Sequence, residues 1–249
     1  LRSPHAHARI RSIDTSKAEA LPGVKAVATA RDFTIVQEQS IDFSQATRPS
    51  RIAAEVILAH ERVMYVGHAV AAVAAISPHI AEEAARLVEV DYEVLPAILS
   101  IEDALKEGAP LLYENMTTRS QVDSPSRGGN TGVKSNIAAH IQLKRGDLEQ
   151  GFREADVIVE RELFTQTVHQ GYIEPFACTA SWTANDCVTI WTTTQGIFSV
   201  RAGTAEIIGL PESSVKVIPM EVGGGFGGKG PFYLEPVAAV LSRKTGHPV

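Results

Sequence analysis

The spacing of hydrophobic and polar positions changes along the chain in a way that separates strands from helices. Ala6 to Ile13 reads Ala-His-Ala-Arg-Ile-Arg-Ser-Ile, the alternation of a strand with one buried face. Asp14 to Gly23 predicts a short capped helix closed by Pro22-Gly23, and Val24 to Thr29 returns to strand. Ala69 to Ile76 is an unbroken run of small apolar residues, which suits a strand covered on both faces. Ser77-Pro78 gives the following helix an N-cap and a proline for its first turn. In that helix Ile80, Ala84, Leu87 and Val88 share one face, while Glu82, Glu83 and Arg86 lie largely off it. Val88 to Leu95 reads as a further strand.

From Met116 to Ser135 the periodicity vanishes into a stretch rich in Thr, Ser, Asn and Gly, and a linker is expected over residues 116–137. Asn115-Met116-Thr117 fits the glycosylation triplet, a pattern common by chance. The second part opens with strand-like Ala138 to Leu143, then a turn from Gly146 into a brief amphipathic helix around Phe152. Asp156 to Phe164 and Cys187 to Thr194 are predicted strands, and Ile197 to Ile208 a helix stopped by Gly209. Val215 to Val222 alternates as a strand that runs into glycines, and Pro231 to Lys244 predicts a closing helix. The fold class is α+β, divided into residues 1–115, the linker, and residues 138–249, with no internal repeat.

With 249 residues, 44% hydrophobic and 21% charged, the chain has material for one large domain or two smaller ones. A net charge of −6 supplies no basic field for a nucleic-acid backbone or an anionic membrane, so neither is an expected partner. No apolar run approaches the roughly 20 residues that a membrane-spanning helix needs. Cys178 and Cys187 are too few for a disulfide framework or a structural zinc site and are expected to be buried, reduced thiols. The N-terminus lacks a signal-peptide pattern, so the expected location is the cytoplasm, with the periplasm as the alternative. The ending Gly246-His247-Pro248-Val249 after a helix reads as the entry to another strand, and a fragment or split subunit is expected.

Gly223-Gly224-Gly225-Phe226-Gly227-Gly228-Lys229, between a predicted strand and a predicted helix, is the most informative stretch. Each glycine raises the entropic cost of ordering the chain, so such density implies close approach of something to the backbone. A dinucleotide fingerprint, Gly223-x-Gly225-x-x-Gly228, is one reading, but the acidic residue expected about 20 positions later is missing. A P-loop, Gly223-x-x-x-x-Gly228-Lys229, is another, and it fails at Gly230, where a Ser or Thr must hold magnesium. A glycine-rich turn needed only for tight packing is the third.

The loop resembles the segment with which the xanthine dehydrogenase and aldehyde oxidase family of molybdenum hydroxylases approaches its metal. Trp191-Thr192-Thr193-Thr194-Gln195 and Val168-His169-Gln170-Gly171-Tyr172-Ile173-Glu174-Pro175 are similar to two further segments of that family. Val66 to Val73 and Ala84 to Tyr92 resemble its α/β hammerhead domain. The resemblance implies a hammerhead domain followed by the first, incomplete part of a molybdopterin-binding domain of the large subunit. It implies hydroxylation of an aldehyde or N-heteroaromatic carbon with water-derived oxygen, the cofactor being molybdenum with molybdopterin, in plain form or as a cytosine dinucleotide. Electrons would pass to iron-sulfur clusters and FAD on partner chains or domains.

On this resemblance Gln195, Gly224, Gly225, Phe226, Gly227 and Gly228 bind the cofactor. Gln195 offers its side-chain amide to an oxygen ligand of the metal, and Phe226 its backbone amide, neither being a direct metal ligand. The Phe226 ring is either a wall of the substrate pocket, a core anchor, or both. His169 is a ligand candidate or a structural histidine, and Glu174-Pro175 shapes the site. No catalytic residue is expected in this segment, since the family's general base belongs to the remaining C-terminal part. Glu221 and Glu235 flank the loop but match that base by neither neighbours nor position. Xanthine-oxidising members carry an acidic residue directly after the loop lysine; Gly230 here turns the expected substrate from a purine toward an aldehyde or another N-heteroaromatic. The opposing reading is a non-catalytic scaffold or assembly module that keeps the fold.

Overall fold

Residues 1–34, 50–122 and 128–249 are described by a computed structural model. In chain order the elements are β1 (Ala8–Asp14), α1 (Ser16–Glu19), β2 (Val24–Thr29), α2 (Ser50–Ile57), β3 (Arg62–Val63), β4 (Ala71–Ala75), α3 (Pro78–Leu87) and β5 (Glu89–Val94). There follow α4 (Ile101–Leu105), β6 (Thr117–Val122), β7 (Gly128–Lys134), β8 (Ala139–Gln142), α5 (Leu148–Glu154), β9 (Cys178–Trp182), β10 (Val188–Thr192), α6 (Ile197–Ile208), β11 (Val215–Pro219) and α7 (Glu235–Thr245). The chain is mixed α and β, as expected. Contacts among the described residues form two compact units, one from residues 1–34, 50–99 and 170–249, the other from residues 100–122 and 128–169. The first and last portions of the chain share a core.

In the first unit β2 and β4 pair antiparallel, and the strand alternation sends their side chains to two different cores. Ala26, Ala28, Ala72 and Ala74 face a large cluster with Ile57, Ala180, Ile190, Ile207 and Leu241. Val24, Val27, Ala71 and Val73 face a smaller one with Ala18, Ala84 and Val88. A strand pair covered on both faces needs apolar residues at every position, which is why 69–76 shows no alternation. β3, β1 and β5 form an antiparallel sheet over a third cluster containing Ala8, Val63 and Val70. α3 begins as its cap residues dictate, with the Ser77 side chain accepting from the Ile80 amide and Ala84 buried beneath it.

β10 lies between β9, antiparallel, and β11, parallel, and α6 connects the two parallel strands as a βαβ unit. α6 ends on Gly209 in the left-handed conformation at φ 73°. α7 packs against β9 and β2, and Lys244 Nζ donates to the Val27 carbonyl at 2.6 Å and to Asp32 Oδ1 at 2.8 Å. Beyond α7, Val249 exchanges backbone hydrogen bonds of 2.7 and 2.9 Å with Ala180, while residues 247–249 form no regular strand.

The second unit departs from expectation in two places. Within the expected linker, β6 pairs antiparallel with β7 and parallel with β8; residues 123–127 of that linker lie outside the described range. These strands are held partly by polar side chains, as in the 2.7 Å contact of Thr118 Oγ1 with Ser135 Oγ, so apolar periodicity could not reveal them. Conversely, Asp156 to Phe164 is in no regular element, although it has a strand's composition. Val157, Leu163 and Phe164 are exposed, and a strand without a ladder partner has no hydrogen bonds to define it. Both cysteines are free, but only Cys178 is partly buried, its thiol pushed up to about 12 chiefly by burial. Cys187 is exposed, because it precedes β10 in a turn.

α6 carries Gly203 directly beneath the Phe232 ring, where a Cβ would fall 2.1 Å from Cζ. Gly203→Ala is expected to destabilise the fold by roughly 1–3 kcal/mol through overpacking, read as a lower denaturation midpoint with an unchanged m-value.

Candidate functional site

The site is built where β10 ends. Thr192 Oγ1 donates to Glu235 Oε1 at 2.6 Å, and Glu235 Oε2 accepts from the Tyr233 amide at 3.1 Å. Glu235 is 2% exposed, so this carboxylate fastens the end of β10 to the start of α7 and does not face solvent. Thr193 and Thr194 are buried next, and Gln195 emerges exposed.

Gln195 is locked to the glycine loop through Lys229. The Gln195 amide donates to the Lys229 carbonyl at 2.9 Å, and the Lys229 amide donates to Gln195 Oε1 at 3.2 Å. Thr194 Oγ1 donates to the same Lys229 carbonyl at 3.2 Å and accepts from the Gly196 amide at 3.0 Å. With Oε1 engaged, the Gln195 Nε2 hydrogens remain to donate to an outside acceptor. Gly225 is buried against this side chain, and a Cβ there would lie 2.6 Å from Gln195 Cδ and Oε1.

The loop itself is turned by left-handed residues at Gly224 (φ 92°), Phe226 (φ 49°) and Gly227 (φ 86°), and closed by the Gly228 amide on the Gly225 carbonyl at 2.7 Å. A left-handed φ is uncommon for a phenylalanine and marks backbone held by its surroundings. Among the described residues, no acceptor receives the amides of Gly224, Gly225, Phe226 or Gly227. Backbone that reverses handedness turns such amides into a concavity suited to anions and oxygen-rich groups. The Phe226 ring is 72% exposed and lies over Gly224, so it is no core anchor.

Beneath the loop, Lys229 is fully buried at 0% exposure. Its Nζ meets Glu174 Oε2 at 2.5 Å and stands 5.1 Å from the Tyr172 ring centroid. The same Glu174 oxygen accepts from the Gly223 amide at 2.7 Å. The Lys229 hydrogen bond, followed by the Gly223 amide, holds the Glu174 carboxyl below its ordinary value of 4.5. Tyr172, Phe176 and Tyr233 continue as edge-to-face rings with centroids 5.8 and 5.7 Å apart.

The structure brings Gln195, Gly224, Gly225, Phe226, Gly227, Gly228 and Glu174 together. His169 is exposed and belongs to the other compact unit. Glu221 is exposed, and among the described residues no cluster of three or more His, Cys, Asp or Glu is arranged to hold a metal ion. The expected closing helix starts only at Glu235, seven residues after Gly228, so no helix opens on the glycines as a dinucleotide or P-loop site requires. Lys229, the residue a P-loop would send to phosphates, is instead spent on Glu174. The loop amides without an acceptor, with Gln195 Nε2 beside them, fit an oxygen-rich group such as a pterin with its metal. Sequence reasoning missed the structural weight of Lys229, Tyr172 and Thr194, and the signal available was a lone charge ending an otherwise uncharged loop.

Residues 130–249 match the molybdopterin cofactor-binding domain, and residues 1–96 match the aldehyde oxidase and xanthine dehydrogenase a/b hammerhead domain. The chain belongs to the xanthine dehydrogenase and aldehyde oxidase family of molybdenum hydroxylases. Within this family of oxidoreductases it is 35% identical to a probable hypoxanthine oxidase of Escherichia coli K12 over 100% of the chain and 28% of that protein. It is 37% identical to the carbon monoxide dehydrogenase large chain of Afipia carboxidovorans, over 97% of the chain and 29% of that protein. The crystal structure of quinoline 2-oxidoreductase from Pseudomonas putida 86 superposes with a TM-score of 0.73 at 31% identity, over 100% of the chain and 30% of that one. The chain thus spans under a third of the length of these molybdenum hydroxylases.

Because the Glu174 carboxyl is held low, its contribution to loop order is present above its ordinary value of 4.5 and is lost as pH falls through the lower, folded value. An acid titration of the Gly223 amide resonance should give a midpoint below 4.5. A midpoint at or above that value would contradict the ion pair.

Proposed function

We propose that the protein to which this chain contributes is a molybdenum-dependent hydroxylase that oxidises an aldehyde or N-heteroaromatic C–H with oxygen derived from water. Its electrons pass to iron-sulfur and flavin partners, and its cofactor is molybdopterin, as such or as the cytosine dinucleotide. The observation that carries this reading is the fixed Gln195 amide beside four loop amides that find no acceptor among the described residues. When bound, the molybdenum pterin supplies the electron-accepting centre, and the protein supplies position and electrostatics.

Gln195 orients an acceptor on that group through Nε2, since its other terminus is held by the Lys229 amide. Gly225 leaves the Gln195 amide in place, because any side chain there would displace it. The amides of Gly224 to Gly227 donate in the same concavity, at no reorganisation cost, because the loop is already turned. The exposed Phe226 ring gives the substrate an apolar wall. Gly230 places no acid after the loop lysine, which disfavours a purine; the quinoline named for one relative is of the N-heteroaromatic class, and the hypoxanthine named for another is the case that tests this preference. The family resemblance assigns the general base to the remaining C-terminal part, and the buried Glu235 is already engaged by Thr192 and the Tyr233 amide. We further assign residues 1–115 to the hammerhead domain and 138–249 to part of the cofactor domain, in a cytoplasmic enzyme.

Molybdenum and a fluorescent oxidised pterin should be found in the full protein purified with its partner chains. Absence of both would leave the scaffold reading standing. In that assembled protein Gln195→Ala is expected to lower turnover by roughly 10–100-fold, the range for residues that orient a metal site from outside its ligands, with thermal stability close to wild type. Unchanged turnover would remove Gln195 from the site.

A further inference from the structure

We propose that Glu174 and Lys229 are positioning residues: one carboxylate oxygen closes the glycine loop at both ends and so sets the Gln195 amide and the loop amides in place before any group binds. This deepens the reading of the loop as a cofactor cradle, and rests on it. Gly223 and Lys229 are the first and last residues of the seven-residue motif. Glu174 Oε2 accepts from the Gly223 amide at 2.7 Å and from Lys229 Nζ at 2.5 Å. A loop joined at its ends through one atom has lost most of its closing entropy already. The closure matters here because the glycines between are the residues with most conformational freedom to lose.

The Lys229 side chain and backbone do separate tasks. Its buried Nζ is anchored by Glu174 and by the Tyr172 ring, while its backbone amide and carbonyl bind Gln195 Oε1, the Gln195 amide and the Thr194 hydroxyl. The position of Gln195 therefore depends on an ion pair it does not touch. A fully buried cation held by a partly exposed carboxylate is also poorly tolerant of losing that partner, because a buried charge without compensation is strongly unfavourable. Tyr172 adds a steric stop, since a Cβ at Gly228 would lie 2.8 Å from its Cε1. Elements 170–174, 192–196 and 223–229 thus meet on one lysine.

The test compares Glu174→Gln, Lys229→Met and the double variant in the full protein. Hydrogen exchange is measured on cofactor-free protein over peptides covering Gln195, Gly228 and Lys229, whose amides do not donate to Glu174. Each single variant should accelerate exchange there by about tenfold, and the double variant should be no worse than the more severe single one, as for a coupled pair. Exchange in β10 and α6 should be unchanged. In the loaded protein, retention of molybdenum should fall by about tenfold, with kcat reduced more than KM is raised. Unaltered exchange at these peptides, additive effects in the double variant, or equal acceleration throughout β10 and α6 would each overturn the proposal. If wild-type protein holds no molybdenum, the functional reading fails while the exchange experiment still judges the clamp.

Discussion

The ion pair between Lys229 and Glu174 is the contact on which the candidate site depends. Lys229 has no exposure to solvent, so its charge is stable only if the fold delivers a carboxylate to it. Glu174 comes from an irregular segment more than fifty residues earlier, and it is brought there with Tyr172 and Phe176, whose rings continue to Tyr233. Once the pair is made, the glycine loop has fixed ends, Gln195 has one of its two terminal atoms occupied, and four loop amides are without an acceptor among the described residues. Three stretches that the sequence suggests separately are thereby one structure.

The scaffold beneath explains why that structure holds its shape. β10 is the central strand of its sheet, flanked on both sides by hydrogen-bonded neighbours, and its end is fastened to α7 by the buried Glu235. α7 in turn packs on β2, so the portion that matches the hammerhead domain and the portion that matches the cofactor domain contribute to the same hydrophobic cluster. A site placed at the end of a buried central strand inherits the rigidity of that core. The exposed apolar residues of 157–168 have no such support among the described residues.

Much of the fold was legible wherever apolar periodicity or a cap was strong. Ser77-Pro78 opens α3, Gly209 closes α6, and the unbroken apolar run at 69–76 becomes a strand covered on two faces. Legibility failed where side-chain polarity and backbone pairing disagree. β6 and β7 are strands made mostly of Thr, Ser, Asn, Gln and Gly, and nothing in their pattern distinguishes them from a linker. Asp156 to Phe164 has the pattern of a strand and no partner to pair with. At the site, Gln195 and the glycines were singled out by the family resemblance of their segments, and the structure sets Gln195 Oε1 on the Lys229 amide that ends the loop. Lys229 was not legible, since burial of a lysine is decided by tertiary packing, and its pattern match to a P-loop pointed the wrong way.

The central claim is that this loop and Gln195 together form the cradle of a molybdenum cofactor. An anomalous difference map collected at the molybdenum edge from crystals of the full protein tests it most directly. The account predicts a single strong peak beside the Gln195 side-chain amide and the amides of Gly225 to Gly227. A peak elsewhere in the molecule, with this concavity filled only by solvent, would contradict it.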